Sequence, residues 1–411
     1  MDGSCLICIL FLMSLNKTKN KANTMKTYPT QLLFSSVLFL CISWGCHPKK
    51  DDPSPSQSTE PSYSVPTYYN GFSNVDHTES TTILGMLSEL GTEIAKGTGA
   101  TGATVPVSLD KGHLLNLLKN MNNEFSNASY NTSGFQIQNN CLAASQAIYE
   151  SFLDSLVAVS SSSHTASSGI AGLGISKDAT PRRFLLTAKG MNYSQILNKT
   201  IMGDLIYYQI ATRLANSVNL DNSARITSPY DSTKKYTAME HNWDVAFGYW
   251  SVPDSFPTKT SPLKFWGSYS NQVNAGLGSN SLLMNAFLKG RAAITNKDMA
   301  TMKAQADIII AEFELMTGGA LCQELNEIQI AINAGDAVKV VSIISEYRGF
   351  VQSMYNIKSY YPGRKITDAQ IDTLLSLLPA NNWDFTQTDL NNIRSYVCSV
   401  YGFTNAQSLI L

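Results

Sequence analysis

Apolar residues recur every three or four positions along most of this 411-residue chain, and this periodicity constrains the fold more than any other feature. Within residues 192–218, for example, Met202, Ile206, Ile210 and Leu214 are spaced by four, which places them on one face of a helix. Strand-like alternation is almost absent. The pattern therefore predicts an all-α protein of about ten helices in two packed antiparallel bundles joined by short loops.

The same pattern predicts individual helices. Gly318-Gly319 is expected to end the helix that starts at Asp298, because glycine is favoured at helix C-termini. Residues 160–179 are expected to form a mobile Ser/Gly-rich loop. The aromatic cluster at residues 265–269 suits packing or the lining of a cleft. Further expected helices cover residues 81–96, 137–159 with Ile148 in the core, and 192–218 as the longest.

The N-terminal segment indicates export. A basic start at Met25-Lys26 precedes an apolar run over residues 32–45, which has the length of a signal-peptide core and is short for a membrane span. The run ends in Ser43-Trp44-Gly45-Cys46, which resembles the lipobox of bacterial lipoproteins, although Ser43 and Trp44 depart from it. Cys46 is therefore the predicted lipidation site. The alternative is an uncleaved N-terminal anchor.

This interpretation divides the chain into four parts. Residues 1–45 are the signal peptide, with the true start at Met25, and residues 46–78 are a lipid-anchored flexible tether that includes a Pro/Ser-rich stretch. Residues 79–230 and 231–411 are the first and second helical halves. Lys50-Asp51-Asp52 resembles the export signal of Bacteroidota surface lipoproteins, so the predicted location is the outer membrane, lipid-anchored and surface-exposed.

Charge and cysteine content argue against several classes of protein. Charged residues make up only 15% of the chain and the formal net charge is −1, so there is no electrostatic footprint for nucleic acid. Cys141, Cys322 and Cys398 follow Cys46, are far apart and show no CxxC spacing. Neither a disulfide framework nor a zinc knuckle is supported, and buried free thiols are expected, with one bridge at most.

Residues 236–250 bring together the ionisable side chains most suited to a site. Thr237 and Glu240 have the spacing of a capping box, which starts a helix here. His241 and Asp244 then lie at positions i and i+3, on one face of that helix. The chain has only five histidines, and this one is the most clearly embedded in a helical pattern.

Two interpretations of this helix remain open. A helix N-terminus disfavours imidazolium, so a neutral His241 could ligate iron or another divalent metal, with Asp244 and Glu240 as further ligands. Alternatively, Glu240 only completes the cap and the other two side chains hold elements together. A protein zinc site needs three or four ligands, and the sequence has no HExxH motif. Acids on other helices that could contribute are Asp204, Asp307 and Glu312.

The same stretch carries a family resemblance. Residues 239–249 read Met-Glu-His-Asn-Trp-Asp-Val-Ala-Phe-Gly-Tyr, which resembles the Met-Glu-His-His-Trp-Asp-Glu-Ala-Phe-Gly-Tyr signature of a domain of unknown function in Bacteroidota lipoproteins. More distantly, it is similar to the His-x-x-Glu motif of imelysin-like proteins, which are two-bundle helical lipoproteins associated with iron uptake. Asn242 and Val245 replace a histidine and a glutamate. Further stretches that resemble the first family are residues 190–193, 201–203 and 286–294.

The resemblance implies a non-enzymatic outer-membrane lipoprotein that is accessory to iron or haem acquisition, with a ligand or metal site at His241 and Asp244. One alternative is an imelysin-type metallopeptidase with His241 as a ligand. Another is a structural partner of an outer-membrane receptor, in which the helix only packs. The geometry distinguishes them, because a site requires both side chains to face a cleft with further acids rather than a closed interior.

Overall fold

Helices make up most of the protein, whose computed structural model describes residues 62–355 and 365–411. The all-α fold class is confirmed, and the described strands form only two short antiparallel hairpins. The expected signal peptide, Cys46 and the first part of the expected tether lie outside the described residues. Within the described residues, no helix combines the length and the apolar character that crossing a membrane requires.

The first part of the fold contains five helices, a hairpin and an interrupted long helix. A 3-10 turn at Tyr69–Gly71 precedes them. The helices are α1 (Thr78–Lys96), α2 (Lys111–Lys119), α3 (Ala128–Asn131), α4 (Ile137–Asn140) and α5 (Gln146–Ser160). The strands β1 (Gly172–Ile175) and β2 (Arg183–Leu186) follow, and then α6 (Tyr193–Ile201), a π-helical segment (Met202–Tyr207) and α7 (Tyr208–Asn216).

The second part starts with another hairpin and continues as helices. The hairpin pairs β3 (Arg225–Thr227) with β4 (Lys235–Thr237). The helices are α8 (Ala238–Trp250), α9 (Phe265–Leu277), α10 (Ser279–Thr295), α11 (Met299–Asn333), α12 (Ala337–Ser353), α13 (Asp368–Ser376), α14 (Gln387–Tyr401) and α15 (Asn405–Ser408).

Helix α11 is the central element. It packs against α7, α9, α10, α12 and α14, and the tight turns at both its ends make α10 and α12 its direct neighbours. The main buried cluster takes residues from both expected halves, from Ile83 on α1 to Val397 on α14. Helix α8 packs against α1, α7 and α10, so it lies between the start of the fold and this central helix.

The expectation that Gly318-Gly319 ends a helix is wrong. Helix α11 runs through both glycines to Asn333, which makes it the longest helix in the described part of the chain. The glycines serve close packing instead, because a Cβ on Gly318 would lie 2.7 Å from the ring of Tyr401 and one on Gly319 would lie 3.2 Å from Val273. Neighbouring helices therefore approach α11 where it has no side chains.

The helix expected over residues 192–218 contains a π-helical segment that sequence periodicity does not reveal. In a π-helix the backbone hydrogen bonds shift by one residue, which frees carbonyl groups that need other partners. The indole nitrogen of Trp266 donates to the carbonyl of Met202 at 2.7 Å, and the amide of Leu142 donates to the carbonyl of Asp204 at 2.9 Å. Distant segments therefore stabilise the irregular turn.

The helix expected over residues 137–159 is also broken. Cys141 adopts an extended conformation and the amide of Leu142 bonds to the π-helical segment, so a new helix begins at Gln146. In that register Ile148 is 44% exposed, which corrects its expected place in the core. The expected loop at residues 160–179 also contains strand β1, whose four residues are too few to show a pattern.

Other local predictions are confirmed. Cys141, Cys322 and Cys398 are free and buried. The expected aromatic cluster forms the start of α9, where Trp266 is fully buried and Phe265 is partly exposed.

Candidate functional site

The site helix α8 begins at the expected capping box. The hydroxyl of Thr237 accepts the amide of Glu240 at 3.1 Å, and the Glu240 carboxylate accepts the amide of Thr237 at 3.0 Å. Thr237 is also the last residue of β4, so the second hairpin leads directly into the helix. This cap fixes Glu240 in the first turn, with His241 and Asp244 after it.

Arg291 of α10 lies between the two acids of α8. Its side chain is fully buried, its Nη1 donates to Glu240 Oε1 at 2.9 Å, and its Nε donates to Asp244 Oδ1 at 2.8 Å. Nη1 also donates to Thr295, and Nη2 donates to Asn74 and, at 3.5 Å, to Asp244 Oδ2. All five guanidinium hydrogens therefore have acceptors. We call Glu240, Asp244 and Arg291 the acid–arginine cluster.

The two carboxylates of the cluster are equally well satisfied. Each Asp244 oxygen accepts two hydrogen bonds: Oδ1 from Arg291 and the hydroxyl of Tyr69 at 2.8 Å, and Oδ2 from Arg291 and the amide of Asp76 at 3.4 Å. Each Glu240 oxygen also accepts two, from the donors Arg291, Thr295, Asn74 and the Thr237 amide. A carboxylate oxygen has two acceptor positions, so both carboxylates are saturated.

Burial and charge act against each other in the cluster. Burial raises the pKa of Asp244, and the charge and hydrogen bonds of Arg291 oppose that shift. Burial also acts to raise the pKa of Glu240, but Arg291 and the Thr237 amide outweigh it and the pKa is lowered. Arginine stays protonated in proteins, and the charged hydrogen bonds favour both ionised carboxylates. One buried cation therefore faces two buried anions.

His241 lies beside the cluster and is half-buried. Its Nδ1 lies 3.1 Å from the carbonyl oxygen of Asp76, and its ring stacks on Tyr236 with centroids 4.4 Å apart. Because a carbonyl only accepts, Nδ1 carries the hydrogen and Nε2 keeps its lone pair in the neutral ring.

His241 and Asp244 share a helix face, as expected. Both side chains hydrogen-bond to the backbone of Asp76 rather than facing a common ligand position. Asp244 accepts the amide of Asp76 and His241 donates to the carbonyl of the same residue. The pair therefore holds the segment that leads into α1. The side chain of Asp76 has a separate role, because it accepts the hydroxyl of Ser228 and the amide of Thr78.

The structure does not bring further acids to His241 as metal ligands. Asp204 accepts a hydrogen bond from Tyr149, Glu312 accepts one from Ser279, and Asp307 is exposed. Across residues 62–355 and 365–411, no cluster of three or more His, Cys, Asp or Glu residues is arranged to hold a metal ion. The cluster that does form pairs acids with an arginine.

Sequence reasoning missed several partners of this site. Tyr69 and Asn74 lie in the stretch assigned to the tether, yet Tyr69 is fully buried and stacks on Phe247 with ring centroids 3.6 Å apart. Arg291 lies within residues 286–294, one of the stretches that resemble the family. Two acids one turn apart on a mostly apolar helix are a signal for a buried cation, and residues 286–294 contain that cation.

Aromatic side chains of α8 also pack against α10, beside the acid–arginine cluster. The indole nitrogen of Trp243 donates to the carbonyl of Phe287 at 3.0 Å, and Trp250 stacks on the same phenylalanine. A Cβ on Gly290 would lie 2.1 Å from the Trp243 ring, so only glycine allows this approach. The close contact positions Arg291, the next residue, against the two acids.

Together the fold and the site define a mostly helical protein in which a buried acid–arginine cluster binds the segment before α1 to α8 and α10. The chain belongs to the family of the domain of unknown function DUF4856, whose model matches residues 62–404. The resemblance to a family of unknown function is thereby confirmed, while the link to Bacteroidota and to imelysin-like proteins stays a prediction. No curated protein and no solved structure shows significant similarity to the chain.

Proposed function

We propose that this chain is a non-enzymatic, lipid-anchored protein of the bacterial outer membrane in which α8 has a structural role. The observation that carries the structural role is the saturation of both carboxylates, since each oxygen of Glu240 and Asp244 accepts two hydrogen bonds. A metal could bind them only by displacing donors that are already in place, and displacement of Arg291 would leave a buried guanidinium unpaired. The lipobox-like end of the apolar N-terminal run supports the anchor.

The anchor is tested by replacing Cys46 with alanine in a bacterial host that processes lipoproteins. We expect the wild-type chain in the membrane fraction, with lipid on an N-terminal Cys46 detected by mass spectrometry. The Cys46→Ala chain is expected to lose the lipid and most of its membrane association. A Cys46→Ala chain that remains equally membrane-bound would instead support an uncleaved N-terminal anchor.

A role in iron or haem acquisition is a second candidate, and one observation favours it. His241 donates from Nδ1 to a backbone carbonyl, the arrangement common among metal-binding histidines, and this leaves Nε2 able to ligate. Metal analysis of purified wild-type, His241→Ala and His164→Ala proteins tests it, with His164 as an exposed histidine control. Iron lost only from His241→Ala would support metal binding, and equal, negligible iron in all three would end it.

The metallopeptidase alternative and the receptor alternative need different experiments. Chelator-sensitive proteolysis that disappears in His241→Ala would establish a peptidase, and the saturated carboxylates lead us to expect none. A structural partner of an outer-membrane receptor should co-purify with the wild-type lipoprotein from detergent-solubilised membranes. The same partner should be retained by His241→Ala if the helix only packs.

A further inference from the structure

A cleft of about 850 Å³ lies along α1, contains no residue of the acid–arginine cluster and has no assigned role. Its walls are α1, β2 with the two residues before it, α6 and the start of α9. This volume lies within the range of about 300–1,000 Å³ that is typical of small-molecule sites. The cleft is partly open, so a ligand could enter without rearrangement of the helices.

The wall formed by α1 is shaped by small residues. Ser88, Gly91 and Ala95 line the cleft at helical spacing, and a Cβ on Gly91 would meet no atom of the described residues within 4 Å. Larger apolar side chains lie beneath and beside this strip, so the interior of the cleft is largely hydrocarbon. They include Leu87, Leu90, Ile94, Leu197 and Ile201.

Phe265 forms an edge of the cleft in an unusual conformation. Its φ angle is +46°, in the left-handed region that bulky side chains rarely adopt. Such residues persist where the surrounding structure holds them, and they cluster at ligand-binding sites. Here the conformation presents a partly exposed aromatic ring next to Lys264, so an apolar contact and a cation are adjacent.

The charge of the cleft has one sign. Arg182, Arg183 and Lys264 line it, and none of the described lining residues is acidic. Arg182 pairs with Asp178 outside the lining, and the terminal nitrogens of Arg183 donate to backbone carbonyls. The Nε of Arg183 is buried without a partner among the described residues.

Lys264 is the most available of these cations. Its Nζ lies 3.3 Å from the hydroxyl of Ser88, and it forms no ion pair within the described part of the chain. The side chain is also exposed, so its ammonium group can reach an anion at the mouth of the cleft. A bound anion there would gain a charge-assisted hydrogen bond without breaking a salt bridge.

We propose that this cleft binds a small amphipathic anion, with a hydrocarbon chain along the small-residue face of α1 and an acidic head group at Lys264. The apolar lining selects the chain by removing it from water. The uniformly cationic rim rejects ligands with a positively charged head, because these would face Lys264 and the two arginines. Carboxylate and phosphate head groups share the chemistry that the rim recognises.

Isothermal titration calorimetry of the folded protein with decanoate and with decyl phosphate tests the proposal and identifies the preferred head group. We expect saturable binding to one site for at least one of them. Decyltrimethylammonium, with the same chain and the opposite charge, and acetate, with the head group alone, should bind at least tenfold more weakly. Equal binding of decyltrimethylammonium, or binding of neither anion, would overturn the proposal.

Variants place the binding in the cleft. Gly91→Trp fills the strip and should abolish binding, while Gly91→Ala leaves most of the space and should retain it. Lys264→Ala should weaken binding about fivefold, the size of an exposed ion pair. Lys303→Ala, an exposed lysine on α11, is the matched control and should change nothing. Circular dichroism confirms folding, and undiminished binding by folded Gly91→Trp would show that the anion sits elsewhere.

Discussion

At the scale of single residues, Arg291 determines the role of the site helix. Glu240 and Asp244 have the spacing and chemistry of metal ligands, but the guanidinium between them supplies five donors in a rigid planar arrangement. The hydrogen-bonding groups of the cluster therefore already have partners within the protein. The loss of one member should destabilise the fold, because it leaves the buried charges of the other members without compensation.

The first prediction concerns Arg291→Met. This variant leaves two carboxylates in a closed interior, so we expect the free energy of unfolding to fall by about 3–5 kcal/mol. Arg291→Lys should recover only part of the loss, since one ammonium group cannot reproduce five directed hydrogen bonds. Urea unfolding followed by circular dichroism measures both variants.

The control is Arg182→Met, which removes an arginine whose side chain is 50% exposed and whose partner is Asp178. An exposed ion pair contributes about 1 kcal/mol or less, so this variant should remain close to wild type. Similar stability losses for Arg182→Met and Arg291→Met would contradict the special role of the buried arginine.

The same residues show what a sequence can reveal. The capping box was predictable because Thr237 and Glu240 are three positions apart and the motif is local. The bond from Arg291 to Glu240 spans 51 positions, and that from Tyr69 to Asp244 spans 175. No local pattern encodes such pairs, so the sequence identified the acids and left the cation and the tyrosine to the tertiary structure.

At the scale of elements, periodicity located most long helices but misjudged the internal breaks. Helix α1 was expected at residues 81–96 and lies at Thr78–Lys96, because its apolar stripe and the glycine that follows it act locally. The π-helical segment and the break after α4 depend on one another through Leu142 and Asp204. The two hairpins have strands of three or four residues, which is too short for alternation to be recognised.

Glycine illustrates the limit of local reasoning. In isolation a glycine inside a helix costs about 1 kcal/mol relative to alanine, so a glycine pair favours a helix end. In α11 the gain from the close approach of Tyr401 and Val273 outweighs that cost. The sequence contains the two glycines, but only the packed structure shows which helices need the space.

The second prediction compares two helical glycines. Gly91→Ala should stabilise the protein by about 1 kcal/mol, because the new methyl group meets open space and alanine favours the helix. Gly318→Ala should destabilise it by about 1–3 kcal/mol, since its Cβ would lie 2.7 Å from the Tyr401 ring in a packed core. Thermal and urea unfolding of both variants measure the signs.

The essential result of that comparison is that Gly91→Ala and Gly318→Ala change the free energy of unfolding in opposite directions. Gly318→Ala in combination with Tyr401→Leu should be less destabilising than the sum of the single changes, because the smaller side chain relieves the clash. Stabilisation by Gly318→Ala alone would mean that the close contact with Tyr401 does not limit the packing of α11 and α14.

At the scale of the whole molecule, a second buried polar cluster joins four helices. The hydroxyl of Tyr269 on α9 donates to Glu324 on α11 at 2.8 Å, and Lys199 on α6 pairs with Glu346 on α12 at 3.1 Å. The Lys199 ammonium also lies 5.0 Å from the centre of the Tyr269 ring. Two acids share one buried lysine here, so the cluster cannot hold both carboxylates ionised at low cost.

The third prediction follows from that imbalance. Burial and the negative charge of Glu346 raise the pKa of Glu324 from 4.5 to about 8, and the positive charge of Lys199 opposes this shift only in part. Between these two values the folded protein holds a proton that the unfolded chain releases. The free energy of unfolding should therefore fall as the pH rises through this window, because ionisation is then favoured only in the unfolded state.

Glu324→Gln tests this link between a single carboxyl group and the stability of the whole fold. Glutamine keeps an acceptor for Tyr269 and has no proton to release, so the free energy of unfolding should vary less between pH 5 and 8 than in wild type. Asp307→Asn removes an exposed acid from the same helix and should preserve the wild-type slope. Urea unfolding at closely spaced pH values gives the slopes, and equal slopes for Glu324→Gln and wild type would assign the pH dependence to other groups.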